Sequence, residues 1–183
     1  MLNVLAHREA TVGASVSGLM YVNGAQSNSK DFCKLSSFVE QEDALVGSLT
    51  VQETLRFAAR LALPRYGCSD CDDAAQERSK ADHSHRFVSK TERITRINAL
   101  LESFGLREQA DTLIGTPIRK GVSGGQKRRV SVASHLITSP KILFLDEPTS
   151  GLDSAASYEV MNFVRVTARK YKVGHCRHDL RHG

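Results

Sequence analysis

The spacing of apolar residues changes period several times along this chain, and each change predicts an element. Ile142, Leu143, Phe144 and Leu145 form an unbroken apolar run, which suits a strand buried on both faces of a parallel sheet. Ahead of it Val130, Ala133, Leu136 and Ile137 recur at helical spacing, and Ser139-Pro140 breaks helix from strand. Behind it Val160, Phe163, Val164 and Thr167 mark one face of a helix expected over 154–170. Thr50-Val51-Gln52-Glu53 and Ser89-Lys90-Thr91-Glu92 both read as capping boxes. The first opens a helix with a face of Val51, Leu55, Ala58 and Leu61, which Pro64 terminates. The second opens one with Ile94, Ile97, Leu101 and Phe104, and Gly105 stands where a C-cap glycine should. A short helical stretch is expected after Leu106. Nearer the amino terminus, residues 14–24 read as strand then tight turn at Asn23-Gly24, and Phe38-Val39 can close a strand that delivers Gln41 to a loop. Helices alternating with buried strands predict an α/β fold.

Composition narrows this reading. At 183 residues, 40% hydrophobic and 25% charged, the chain has room for one domain with an adequate core. Its net charge of +5 is spread along the sequence and not blocked, so a solvated basic surface is expected and not a nucleic-acid stripe. Lys127-Arg128-Arg129 is read the same way. No apolar run approaches the roughly 18 residues of a membrane span. The chain therefore reads as soluble and cytosolic, with any membrane association coming through a partner. Residues 66–88 are polar and short of large apolar side chains, as in an exposed insertion. Within it Cys68 and Cys71, with His83 and His85, invite a zinc reading, but the histidines are too close together for a finger-type site. Cys68 and Cys71 are therefore read as reduced thiols, and with Cys33 and Cys176 they form no evident disulfide framework.

The candidate chemistry lies between Val122 and Asp153. Ser123 is a good N-cap and Gly124-Gly125 leave backbone N–H groups unobstructed, so the following helix offers an anion site. Asp146-Glu147 puts two carboxylates at the carboxyl edge of the sheet, where open α/β folds bind ligands. Val122-Ser123-Gly124-Gly125-Gln126 resembles the signature motif of ATP-binding-cassette (ABC) ATPases. Ile142 to Glu147 resembles their Walker B strand, and Ser150-Gly151-Leu152-Asp153 their D-loop. The wording VSGGQKRR followed by LDEPTSGLDS is closest to the G subfamily, the white and pleiotropic-drug-resistance type.

The resemblance implies a P-loop NTPase-like ABC core over 1–173 with an α-helical subdomain at about 50–135, and ATP and Mg²⁺ as cofactors. By it, Glu147 polarises the attacking water, Asp146 organises the metal, and Gln41, as the Q-loop residue, touches metal and water. Ser123, Gly124, Gly125 and Gln126 face an ATP on a partner domain, and Asp153 carries dimer contacts. The implied partners are a second nucleotide-binding domain, head to tail, and a transmembrane domain at the cytosolic face of a membrane, with no nucleic acid.

Two departures bear on that reading. No G-x-x-x-x-G-K-[ST] occurs in the 183 residues, so the phosphate-cradling Walker A loop is missing. Beyond Val173 the family continues with an apolar strand and a switch His. Here 174–183 is rich in His and Arg and is expected to be a non-family tail, disordered or read out of frame. One nucleotide on, codons for Gly174 to Asp179 are compatible with Val-Ile-Val-Ala-Met-Thr. His178 stands near the switch position without a strand to aim it. The expected fold is therefore incomplete, lacking the Walker A strand and loop and the H-loop strand, and the isolated chain is expected to be inactive. A non-catalytic partner that lends its signature, a soluble non-transport ABC ATPase and a truncated gene product stand as alternatives.

Overall fold

The computed structural model describes residues 5–6, 21–22, 24–26, 28–42, 44–63 and 88–178. The expectations for 14–20, most of the 66–88 insertion, Cys68, Cys71, His83 and His85 lie outside these residues.

A small hairpin pairs β1 (Tyr21–Val22) with β2 (Ala25–Gln26), turning at Gly24 with φ +81°. A short helix, α1 (Ser29–Leu35), has no counterpart among the sequence expectations. It leads into β3 (Ser36–Val39), which lies parallel to β4 (Ile142–Asp146). β4 is the middle of three strands and has a buried side chain on both faces, as its unbroken apolar run predicts. Leu143 and Leu145 join Val39 in the main core, while Phe144 points the other way against Phe32 and Ala6. The Phe144 ring centroid lies 6.0 Å from that of Phe32 and 6.3 Å from that of Phe38.

The third strand corrects an expectation. Gly174–His178 forms β5, parallel to β4 and paired along its whole length, in the order β3-β4-β5. The tail was expected because its His and Arg do not suit a strand buried on both sides. Pairing requires only backbone groups, and a position at the end of the described strands tolerates polar residues that a central strand would not.

α2 (Val51–Ala62) opens with the expected capping box: Thr50 N–H donates to Glu53 Oε2 at 2.9 Å and Glu53 N–H to Thr50 Oγ1 at 3.2 Å. Its buried face differs from the expected one. Val51, Leu55 and Ala59 are buried with Thr54, whereas Leu61 is 73% exposed. Thr54 can turn inward because its hydroxyl donates to Thr50 O at 2.9 Å. α3 (Lys90–Ser103) keeps half of its box, with Ser89 Oγ accepting from Glu92 N–H at 3.1 Å. The Glu92 carboxylate instead accepts from Arg96 at 3.0 Å. Ile97, Leu101 and Phe104 are buried as expected, and Leu100 takes the place of the exposed Ile94. Gly105, at φ +60°, closes a Schellman turn in which Leu106 N–H donates to Leu101 O at 2.8 Å.

Turns replace the short helix expected after Leu106. This segment is fastened to the start of α2, where Val51 N–H donates to Thr112 O and Gln52 N–H to Ala110 O. Gly115 and Gly121 approach so closely that a Cβ on Gly115 would lie 2.6 Å from Gly121 Cα. The chain then enters α4 (Gly124–Leu136), crosses β4, and runs through α5 (Ser154–Tyr171) into β5. α4 is the hub, packed against β3, α2, α3 and α5. Val130, Val132, Ala133 and Leu136 are all buried, a wider apolar surface than one helical face, because layers close over α4 on several sides. The face of α5 agrees with the periodicity: Val160, Val164 and Thr167 are buried and Phe163 packs against the core.

Candidate functional site

Parallel register explains why two distant loops meet. Val39 on β3 is level with Leu145 on β4, so the residues two places beyond each, Gln41 and Glu147, leave the sheet side by side. Gln41 Nε2 donates to Glu147 Oε2 at 2.8 Å and to Ser150 Oγ at 3.4 Å. Glu147 takes φ +42°, in the left-handed region uncommon for a residue with a Cβ, as the chain turns off β4. Asp146, half-buried, precedes it at the carboxyl end of the strand. β5 brings the backbone of His178 level with Asp146 on the neighbouring strand.

The start of α4 forms a second group. Ser123 has the extended backbone of an N-cap, φ −67° and ψ 165°. Its hydroxyl accepts from Gln126 N–H at 3.3 Å, and Gln126 Oε1 accepts from Ser123 N–H at 2.8 Å, a complete capping box. Ser123 and Gly124 are exposed while Gly125 is buried. A Cβ on Gly125 would lie 3.1 Å from Ala156 Cβ, and one on Gly124 3.4 Å from Leu152 Cδ2. The glycine pair therefore seats α4 directly on the turn before α5. Asp153 caps that helix, its Oδ1 accepting from Ala156 N–H at 2.8 Å.

The sequence reading missed the residue that joins the two groups. Arg128 and Arg129 are not a solvated face: they are 4% and 8% exposed. Arg128 Nη1 donates to Glu40 O at 2.7 Å and Gln41 O at 3.1 Å, Nη2 to Asp146 O at 3.0 Å, and Nε to Pro148 O at 3.2 Å. One guanidinium thus fastens the Gln41 loop and the Asp146–Pro148 turn to α4. The available signal was helical phase, since Gly125, Arg128 and Val132 fall at i, i+3 and i+7 on a buried face. Arg129 lies with its guanidinium carbon 4.7 Å from the Phe163 ring centroid, within 3.8 Å of the Glu159 carboxylate. Burial holds its pKa below the ordinary arginine value, with Glu159 pulling the other way.

A cleft of about 560 Å³ beside β3 is lined by Ser37, Glu40, Glu42 and His135 among others, and Gln41, Asp146 and Glu147 are not among its walls. Among the described residues, no group of three His, Cys, Asp or Glu is placed to hold a metal, and no helix is long and apolar enough to cross a membrane. Cys33 is an exposed free thiol.

Comparison with known proteins agrees with the motifs. The family model described as ABC transporter matches residues 1–150. ABC transporter G family member 1 of Dictyostelium discoideum is 39% identical over 171 residues, covering 92% of this chain and 18% of that protein. ABC transporter G family member 6 of Arabidopsis thaliana is 38% identical over 169 residues, with 92% and 20% covered. The rat protein named Broad substrate specificity ATP-binding cassette transporter ABCG2 is 39% identical over 170 residues, with 93% and 22% covered. The chain spans about a fifth of the length of these relatives. With a P-loop NTPase-type domain of mixed helix and strand, the chain belongs to the ABC transporter family, as an ATP-binding domain of the G-subfamily type.

Proposed function

We propose that this chain acts as one half of a head-to-tail pair of ABC nucleotide-binding domains that drives transport through a transmembrane partner at the cytosolic face of a membrane. The observation that carries this reading is the exposed, fully capped start of α4 at Ser123 and Gly124, seated on the turn that ends at Asp153. First-turn N–H groups have no carbonyl within their own helix, so those of Gly124 and Gly125 suit a phosphate on the partner domain. Gln126 holds Ser123 in place, and Asp153 stands at the same edge.

Gln41, Asp146 and Glu147 serve the other nucleotide of the pair. Glu147 orients and polarises a water, and Gln41 holds the Glu147 carboxylate through the 2.8 Å bond. Asp146 and Gln41 are the groups for Mg²⁺, which keeps several waters and needs only one or two protein ligands, so no larger acidic cluster is required. ATP, when bound, supplies the phosphoanhydride, and the residues contribute positioning and charge stabilisation. The backbone of His178 is level with Asp146, which suits it to the switch position. Residues at about 50–135, including α2 and α3, correspond to the helical subdomain, and the domain reaches through β5 to His178.

Pairing the chain with a complete ABC nucleotide-binding domain tests the reading. Mixed with such a domain, the chain should associate on addition of Mg-ATP and dissociate in Mg-ADP, measured by analytical ultracentrifugation. Ser123→Arg should abolish the association and Glu147→Gln should leave it. Association that ignores Ser123→Arg would refute the reading.

A further inference from the structure

We infer that Arg128 is a positioning residue through which occupancy of the α4 N-terminus is felt at the Gln41–Glu147 pair. This rests on the proposed function, in which Ser123 meets a phosphate held by a partner. Arg128 lies one turn inside α4, four residues after Gly124, on a helix buried along most of its length. A helix moves as a body, so a displacement of its first turn carries the guanidinium with it. The guanidinium binds Glu40 O and Gln41 O on one loop and Asp146 O and Pro148 O on the other. These carbonyls flank Gln41 and Glu147, whose side chains meet at 2.8 Å. Through the four acceptors both loops, and the pair between them, follow α4 as one unit; without the guanidinium they no longer follow it. The planar fork of arginine satisfies two loops at once, and a lysine ammonium cannot span the same acceptors.

The chain contains no tryptophan, so Ala44→Trp, at an exposed position three residues after Gln41, gives a single fluorescent reporter. The reporter chain is mixed with a tryptophan-free complete ABC domain, and emission is compared in Mg-ATP and Mg-ADP while association is measured in parallel. With Arg128 in place, association should shift the emission. Arg128→Met should leave association intact and remove most of the emission shift, with Arg128→Lys intermediate. A full emission shift in both variants overturns the proposal. So does a loss of association in step with the loss of shift, since Arg128 would then only support the fold. If Arg128→Met does not fold, Arg128→Lys decides by the same two criteria. An association that ignores Ser123→Arg instead refutes the proposed function.

Discussion

Glu53 accepts from both the backbone N–H and the hydroxyl of Thr50, and these bonds favour its carboxylate over its acid form. Its pKa is lowered, first by the backbone bond and then by the side-chain bond. A depressed folded-state pKa means that the cap's contribution is complete above the ordinary glutamate value and is lost as pH falls through the folded one. Glu53→Gln keeps an acceptor for Thr50 without the charge. The difference in melting temperature between the two proteins should be largest near neutral pH and shrink below about pH 4. A difference that stays constant with pH would refute this account. The capping box at Thr50 and the N-cap at Ser123 were legible because both depend on local residue types, whereas the box that Gln126 closes over Ser123 was not read. Arg128 was not legible: spacing gives its phase on α4 but does not reveal that two loops present carbonyls opposite it.

Among elements, α4 and α5 meet at their first turns, where a Cβ on Gly125 would come within 3.1 Å of Ala156 Cβ. Gly125→Ala should therefore destabilise the fold by about 1–3 kcal/mol through overpacking. Adding Ala156→Gly should recover part of that, with urea unfolding as the measurement; an unaltered midpoint in Gly125→Ala would refute the close packing. The sequence indicates α4, β4 and α5 because each has a clear apolar period. It misreads α2, where a threonine that satisfies its own hydroxyl turns inward and leaves Leu61 in solvent. β5 fails for a different reason: what permits His and Arg there is its place beside β4, which its own composition does not record.

Over the whole molecule, α2, α3, α4, α5 and the inner face of the sheet share one core, while α1 places Phe32 against Phe144 on the other face. Leu101 of α3, Leu55 of α2, Val130 of α4, Leu145 of β4 and Val164 of α5 belong to the same buried cluster. Leu101→Ala and Leu145→Ala, one in each layer, should each cost about 2–5 kcal/mol. Both should lower the same cooperative transition in calorimetry; two separable transitions would show that the layers unfold independently. The α/β class follows from periodicity alone. The pairing of Gln41 with Glu147 needs the register of β3 against β4, which links residues 106 apart in sequence and leaves no trace in local pattern.

The capping box of α4 is closed by Gln126, a neutral amide, and the first turn of this helix carries no acidic residue. α2 uses the same motif with Glu53, whose negative charge offsets the positive end of the helix macrodipole. α4 has the geometric benefit of the box without that quenching charge. The dipole of α4 at Ser123 and Gly124 is therefore not offset by a carboxylate in its own cap, which favours an anion there.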